Sequence, residues 1–165
     1  MQFAIALGGA MLAGNARDEL DQLGALAAFL EQPLAGMSES DRGIARATVL
    51  RERVRVAALS GLADLASSTI SKLEDLAASS RDLVIENAYE SARGFALFLQ
   101  RDYLDAADEL AADSHSPLVL RQLAITQEKL EKPDAAQSTR TRLQYQRGAT
   151  VEWFLVTHPE TDTSR

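Results

Sequence analysis

A chain of 165 residues is long enough for one domain, whose core buries roughly two-thirds of the surface that the unfolded chain exposes. Apolar residues make up 46 % and aromatics only 5 %, so that core is built from Ala, Leu, Val and Ile, the material of packed helices. A net charge of −7 argues against general attraction to nucleic acid or an anionic membrane, and the lack of cysteine excludes a disulfide frame, thiolate chemistry and cysteine-bound zinc.

In chain order, the opening MQFAIALGGAMLAGNARDE carries an apolar run without a basic start, too short to span a bilayer, and reads as the first helix of the fold rather than a leader. It begins apolar and uncapped. A helical array normally ends on a polar face, so this start predicts self-association through residues 1–30 or preceding repeats in a longer parent. The expected compartment is the cytoplasm, or the periplasm or exterior if the chain belongs to a longer precursor. Apolar residues then recur at helical spacing almost throughout, with breaks at Gly14-Asn15, Gln32-Pro33 to Ser40, Ser60-Gly61, Ser79-Ser80, Arg101, Ser114 to Pro117, Lys132-Pro133 and Gly148. The chain reads as all-α, in segments of about 12 to 20 residues.

Within this frame the helix DRGIARATVLRERVRV concentrates Arg42, Arg46, Arg51, Arg53 and Arg55. It reads either as a solvated face salt-bridged to Glu52 and to acids of neighbouring helices, or as a surface for an anionic partner. The next informative stretch, RGFALFLQRDYLDAADEL from Arg93 to Leu110, shows an internal repeat: aligning Gly94 with Ala124 places Ala106 on Ala136 and Arg101 on Glu131. A weaker copy puts Val54 and Ala66 in the same slots with Gly61 in the turn, and a fourth begins at Gly8. Small residues at that spacing allow two antiparallel helices to cross closely, with bulky neighbours such as Leu97, Tyr103 and Leu110 filling the flanking grooves.

The acids Asp102, Asp105, Asp108 and Glu109 read as a solvated helix start rather than a metal site. His115 and His158 lack a helical ligand partner and are expected to be exposed. Ser116 is placed to cap the helix that Pro117 begins, and Pro133 takes the same first position in the next. ATVEWFLVTH predicts a helix capping the last hairpin, with a short extended segment as the alternative, and residues 158–165 a disordered tail.

Gly94, Leu97, Tyr103, Ala106 and Leu110, followed by Pro117, resemble the tetratricopeptide repeat (TPR), and Leu123-Ala124 through Lys132-Pro133-Asp134-Ala135-Ala136 is similar. The match is best over 82–145; Arg93 stands where the family carries Leu, and the repeats are unevenly spaced. The resemblance implies an all-α α-solenoid of three to four antiparallel hairpins over residues 1–157. It also implies a concave groove that binds a peptide or protein segment, lined by Arg51, Arg55, Ser91, Phe95, Phe98, Leu99, Arg121, Ile125, Glu128 and Lys129. Phe95, Phe98 and Leu99 could equally pack against the next helical pair. No nucleophile elbow, phosphate loop or zinc helix occurs, so the expectation is a non-enzymatic interaction module without cofactor, metal, nucleic acid or membrane. Its expected partner is a protein segment with acidic residues beside an apolar anchor. The rival expectations are a self-assembly element ending a longer array and, more remotely, a divergent helical enzyme.

Overall fold

The computed structural model describes residues 2–12, 15–113, 115–146 and 151–157, and all regular secondary structure among them is helical. The helices are α1 (Gln2–Met11), α2 (Ala16–Phe29), α3 (Glu39–Leu59), α4 (Ala63–Ser79), α5 (Leu83–Leu99), α6 (Tyr103–Ala112), α7 (Pro117–Lys129), α8 (Pro133–Tyr145) and α9 (Val151–Thr157). Four of them begin where a short polar side chain satisfies an orphan first-turn amide. Asn15 accepts from Asp18, Ser38 from Asp41, Asp82 from Val84 and Ser116 from Val119. Each such cap is worth about 1 kcal/mol. Pro117 and Pro133 occupy first-turn positions, where the missing N–H costs nothing.

Three hairpins, α3–α4, α5–α6 and α7–α8, close through the same turn. Gly61, Arg101 and Glu131 take left-handed φ values of 71°, 65° and 56°. In each turn the following amide reaches back to the carbonyl five residues earlier: Leu62 to Ala57, Asp102 to Leu97, Lys132 to Gln127. This is a Schellman closure, which consumes orphan carbonyls at the helix end and reverses the chain. Gly61 adopts it without penalty, whereas Arg101 and Glu131 do so at a cost of about 1–2 kcal/mol each.

Consecutive helices from α1 to α8 pack on one another, α9 packs on α7, and α3, α5 and α7 also touch in series. The α5–α6 crossing depends on glycine: a Cβ at Gly94 would meet Leu110 Cγ at 2.6 Å. Ala106 and Leu110 are fully buried there, and Phe95, Leu110, Val119 and Leu123 carry the contact on to α7. The larger core gathers around α3, where Ala47, Val49, Leu50, Val54, Val56 and Ala57 are all buried. No helix among the described residues is long and apolar enough to cross a membrane. His158 and the expected tail 158–165 lie outside the described residues, as do Gly14, Ser114 and Gly148.

Candidate functional site

A helix with apolar side chains around most of its circumference is enclosed by its neighbours, and its charged residues go inside with it. That is the case for α3. Arg51, Glu52 and Arg55 are 6 %, 0 % and 1 % exposed. Glu52 lies between the two guanidiniums, accepting from Arg55 Nε at 2.8 Å and from Arg51 Nε at 3.1 Å. Arg55 also reaches Glu19 of α2 at 3.4 Å. Arg51 turns its other nitrogens outward from α3, Nη1 to Asp113 at 2.8 Å and Nη2 to Glu152 of α9 at 2.6 Å. Two guanidiniums thus serve four carboxylates drawn from α2, α3, the α6–α7 turn and α9.

Asp113 shapes that turn as well as bridging it. Its second oxygen accepts from the backbone amides of His115 and Ser116, holding Ser116 in place to cap α7. The Ser116 hydroxyl in turn donates to Glu152 at 2.8 Å. Beside these groups runs a cleft of about 230 Å³, bordered by Thr48, Asn87 and the exposed His115.

The short helix α9 is therefore clasped at both ends. Glu152, in its first turn, is held by Arg51 and Ser116. The carbonyl of Leu155, one of the orphan acceptors of its last turn, receives a hydrogen bond from Arg121 of α7 at 3.3 Å. Between the two polar ends Leu155 is fully buried against Leu118 of α7 and Met11 of α1. The expected capping segment is thus a helix, and of the last hairpin it meets α7, where it is also reached by α3 and α1.

The electrostatics follow from this sharing. Burial alone would depress the Arg51 guanidinium, but Glu152, Glu52 and Asp113 overcome it and hold the group above its ordinary value. Burial would likewise raise Glu52, yet Arg55 and then Arg51 bring it below the usual carboxylate range. Glu152 goes the other way. Its burial outweighs the attraction of an Arg51 already shared with two other carboxylates, and Glu52 and Asp113 repel it, so its pKa is raised.

The ten residues expected to line an open groove separate into distinct environments. Arg51 and Arg55 are drawn inward by the carboxylates; Ser91 is buried and donates to the Ala88 carbonyl of its own helix; Phe95 fills the α5–α6–α7 junction. These four are not an accessible surface, which corrects the expectation for them. Phe98 is half-buried, its ring 5.4 Å from that of Tyr103. Ile125 and Arg121 are half-buried, while Leu99, Glu128 and Lys129 are exposed, Glu128 pairing with Arg140 of α8. The groove residues that act together are Arg51 and Arg121, and what they hold is α9.

Sequence reasoning missed Glu19, Asp113, Ser116 as a ligand of Glu152, and Glu152 itself. The available signal was the run VLRERVRVAAL, whose apolar residues leave no polar face on which Arg51, Glu52 and Arg55 could be solvated. Of the acidic run on α6, Glu109 pairs with Arg93 of α5 at 3.0 Å. Among the described residues no three acidic or histidine side chains converge as a metal site. Comparison with protein-family models, with curated proteins and with solved structures finds no match to this chain.

Proposed function

We propose that the protein is a non-enzymatic interaction module that binds a helical protein segment on the face shared by α3 and α7. One observation carries the reading: α9, a short helix bearing an acid and an apolar anchor, is already bound there by Arg51, Ser116, Leu118 and Arg121. A face that seats such a helix has the chemistry of helix-in-groove recognition, with an apolar anchor for affinity and charge pairs for register. The common turn at Gly61, Arg101 and Glu131 and the serial packing of α3, α5 and α7 support a tetratricopeptide-like α-solenoid as the scaffold. The reading assigns no reaction and no cofactor.

The test is selection of helical peptides against the immobilised full chain. Selected sequences should carry an acidic residue and a Leu or Ile on one face, and Arg121→Glu should weaken them about tenfold or more by replacing the donor to the last-turn carbonyl with an acceptor that repels it. Peptides without that pattern, or binding indifferent to Arg121→Glu, would refute the reading.

A second reading, self-assembly, is favoured by α1, whose Ala4, Ile5, Ala6 and Gly9 are exposed, Ile5 at 67 %. Mass measurement in solution decides it: a dimer abolished by Ile5→Lys supports association through this face, and a monomer at high concentration ends it.

A further inference from the structure

The bound helix belongs to the chain itself, and we infer that α9 is a built-in competitor: a partner helix carrying Glu with Leu three residues on takes its seat, so that partner binding and α9 release are one exchange. The inference rests on the interaction reading above and adds what the partner must carry and what it must displace.

Three observations point to exchange. First, the seat is complete without α9. Arg51 stays fixed by Glu52 and Asp113, and Ser116 by its place at the start of α7, where Asp113 accepts from its amide. A departing Glu152 leaves no stranded cation, so the usual penalty for breaking a buried ion pair is avoided. Second, what α9 supplies is simple and transferable: one carboxylate, one leucine side chain and one last-turn carbonyl. Any helix with Glu and Leu at that spacing presents the same three groups on one side. Third, α9 spans seven residues, short of the roughly 12–15 that a helix needs for independent stability in water. Its folded form depends on the seat, whereas a longer partner helix brings its own.

Tethering gives α9 a high effective concentration, so an added helix competes at a disadvantage until the anchor is weakened. Trp153, the single tryptophan, sits half-buried on α9 and reports its departure. The probe is a tryptophan-free helical peptide that carries the α9 sequence with Trp153→Phe, set between helix-forming flanks. Titrated into the full chain, it should red-shift the Trp153 emission to saturation. A peptide with Glu152→Lys and Leu155→Asp changes should leave the emission alone. In the full chain, Leu155→Ala should tighten binding of the labelled probe by about tenfold, because the internal competitor is weaker. Circular dichroism checks the fold of that variant, and Val156→Ala in the same cluster replaces it if folding is lost.

Equal affinity for both chains with no emission shift overturns the exchange; the interaction face stands if Arg121→Glu still weakens that binding and falls with the exchange if it does not. Binding to neither chain removes the face as well. A chain already dimeric through its α9, and dissociated by the probe, also overturns the inference, since the exchanged occupant is then a second copy.

Discussion

The α5–α6 crossing and the clasp around α9 join helices by opposite means. At the crossing, Gly94 lets α6 approach until Leu110 fills the space a Cβ would need, and the one ion pair beside it, Arg93 with Glu109, lies at the partly exposed flank rather than in the contact. In the clasp, Arg51 reaches across three elements to bind carboxylates, and one leucine provides the apolar anchor. The crossing gains from every methylene it excludes from water and tolerates little change of shape. The clasp has desolvated charge whose Coulombic gain and burial cost nearly cancel, so its geometry is specific while its net stabilisation is small. Such a balance suits a contact that must form in one register and still come apart.

The largest effect expected from breaking this comparison lies at the inner end of the ionic network. Arg55→Met takes from Glu19 and Glu52, both essentially unexposed, the guanidinium they share and leaves Glu52 with Arg51 alone, and should cost about 3–5 kcal/mol in urea unfolding. Adding Glu52→Gln should recover part of the loss, because an amide needs no counter-charge. A loss under about 1 kcal/mol for Arg55→Met would place these groups in water and remove the contrast with the crossing.

The crossing itself gives the next largest effect. Gly94→Ala gains about 1 kcal/mol of helix propensity, yet its Cβ falls within the radius of Leu110 Cγ, and displacing that packed side chain costs more. The net expectation is a loss of about 1–2 kcal/mol, partly relieved in a chain that also carries Leu110→Ala, so the double-mutant cycle should be clearly non-additive. Asp105→Ala, exposed on the same hairpin, should stay within about 0.5 kcal/mol of wild type. Additive losses at Gly94 and Leu110 would show that the two do not meet.

The same contrast explains what the sequence disclosed. The hairpin was legible because its code is local: small residues twelve apart, a turn between them, and a serine or proline at the next helix start all sit within one window. The breaks at Ser60-Gly61, Arg101 and Lys132-Pro133 fall in the observed turns for that reason. The clasp was not legible, because Arg51 and Glu152 are 101 positions apart and nothing near either names the other. The expected pairing of the α3 arginines with Glu52 and with acids of neighbouring elements is observed, Arg46 meeting Glu31 on a partly exposed surface, but the expected solvation fails at Arg51 and Arg55. Charge alone does not tell whether a side of the helix is free to face water, and the apolar residues around Arg51 and Arg55 leave none.

The smallest effect expected separates the two regions by pH. Glu152 has a raised pKa in the docked state, so its contribution to docking is fully present below the ordinary carboxylate range and is lost as pH rises through the raised value. Docking of α9 should therefore weaken from acid toward neutral pH, while the Gly94–Leu110 contact has nothing to titrate. Glu152→Gln keeps an acceptor for Ser116 and Arg51 without repelling Glu52 and Asp113, and should change overall stability by less than about 1 kcal/mol. The measurement is the Trp153 emission maximum of the full chain from about pH 4 to 8, a range that spans carboxylate titration into neutrality. Wild type should red-shift as the pH rises, and Glu152→Gln should remain near the acid-limit position. Were the shift to persist in Glu152→Gln, the pH response would come from elsewhere in the chain, and Glu152 would be a fixed strut of the clasp rather than the group that loosens it.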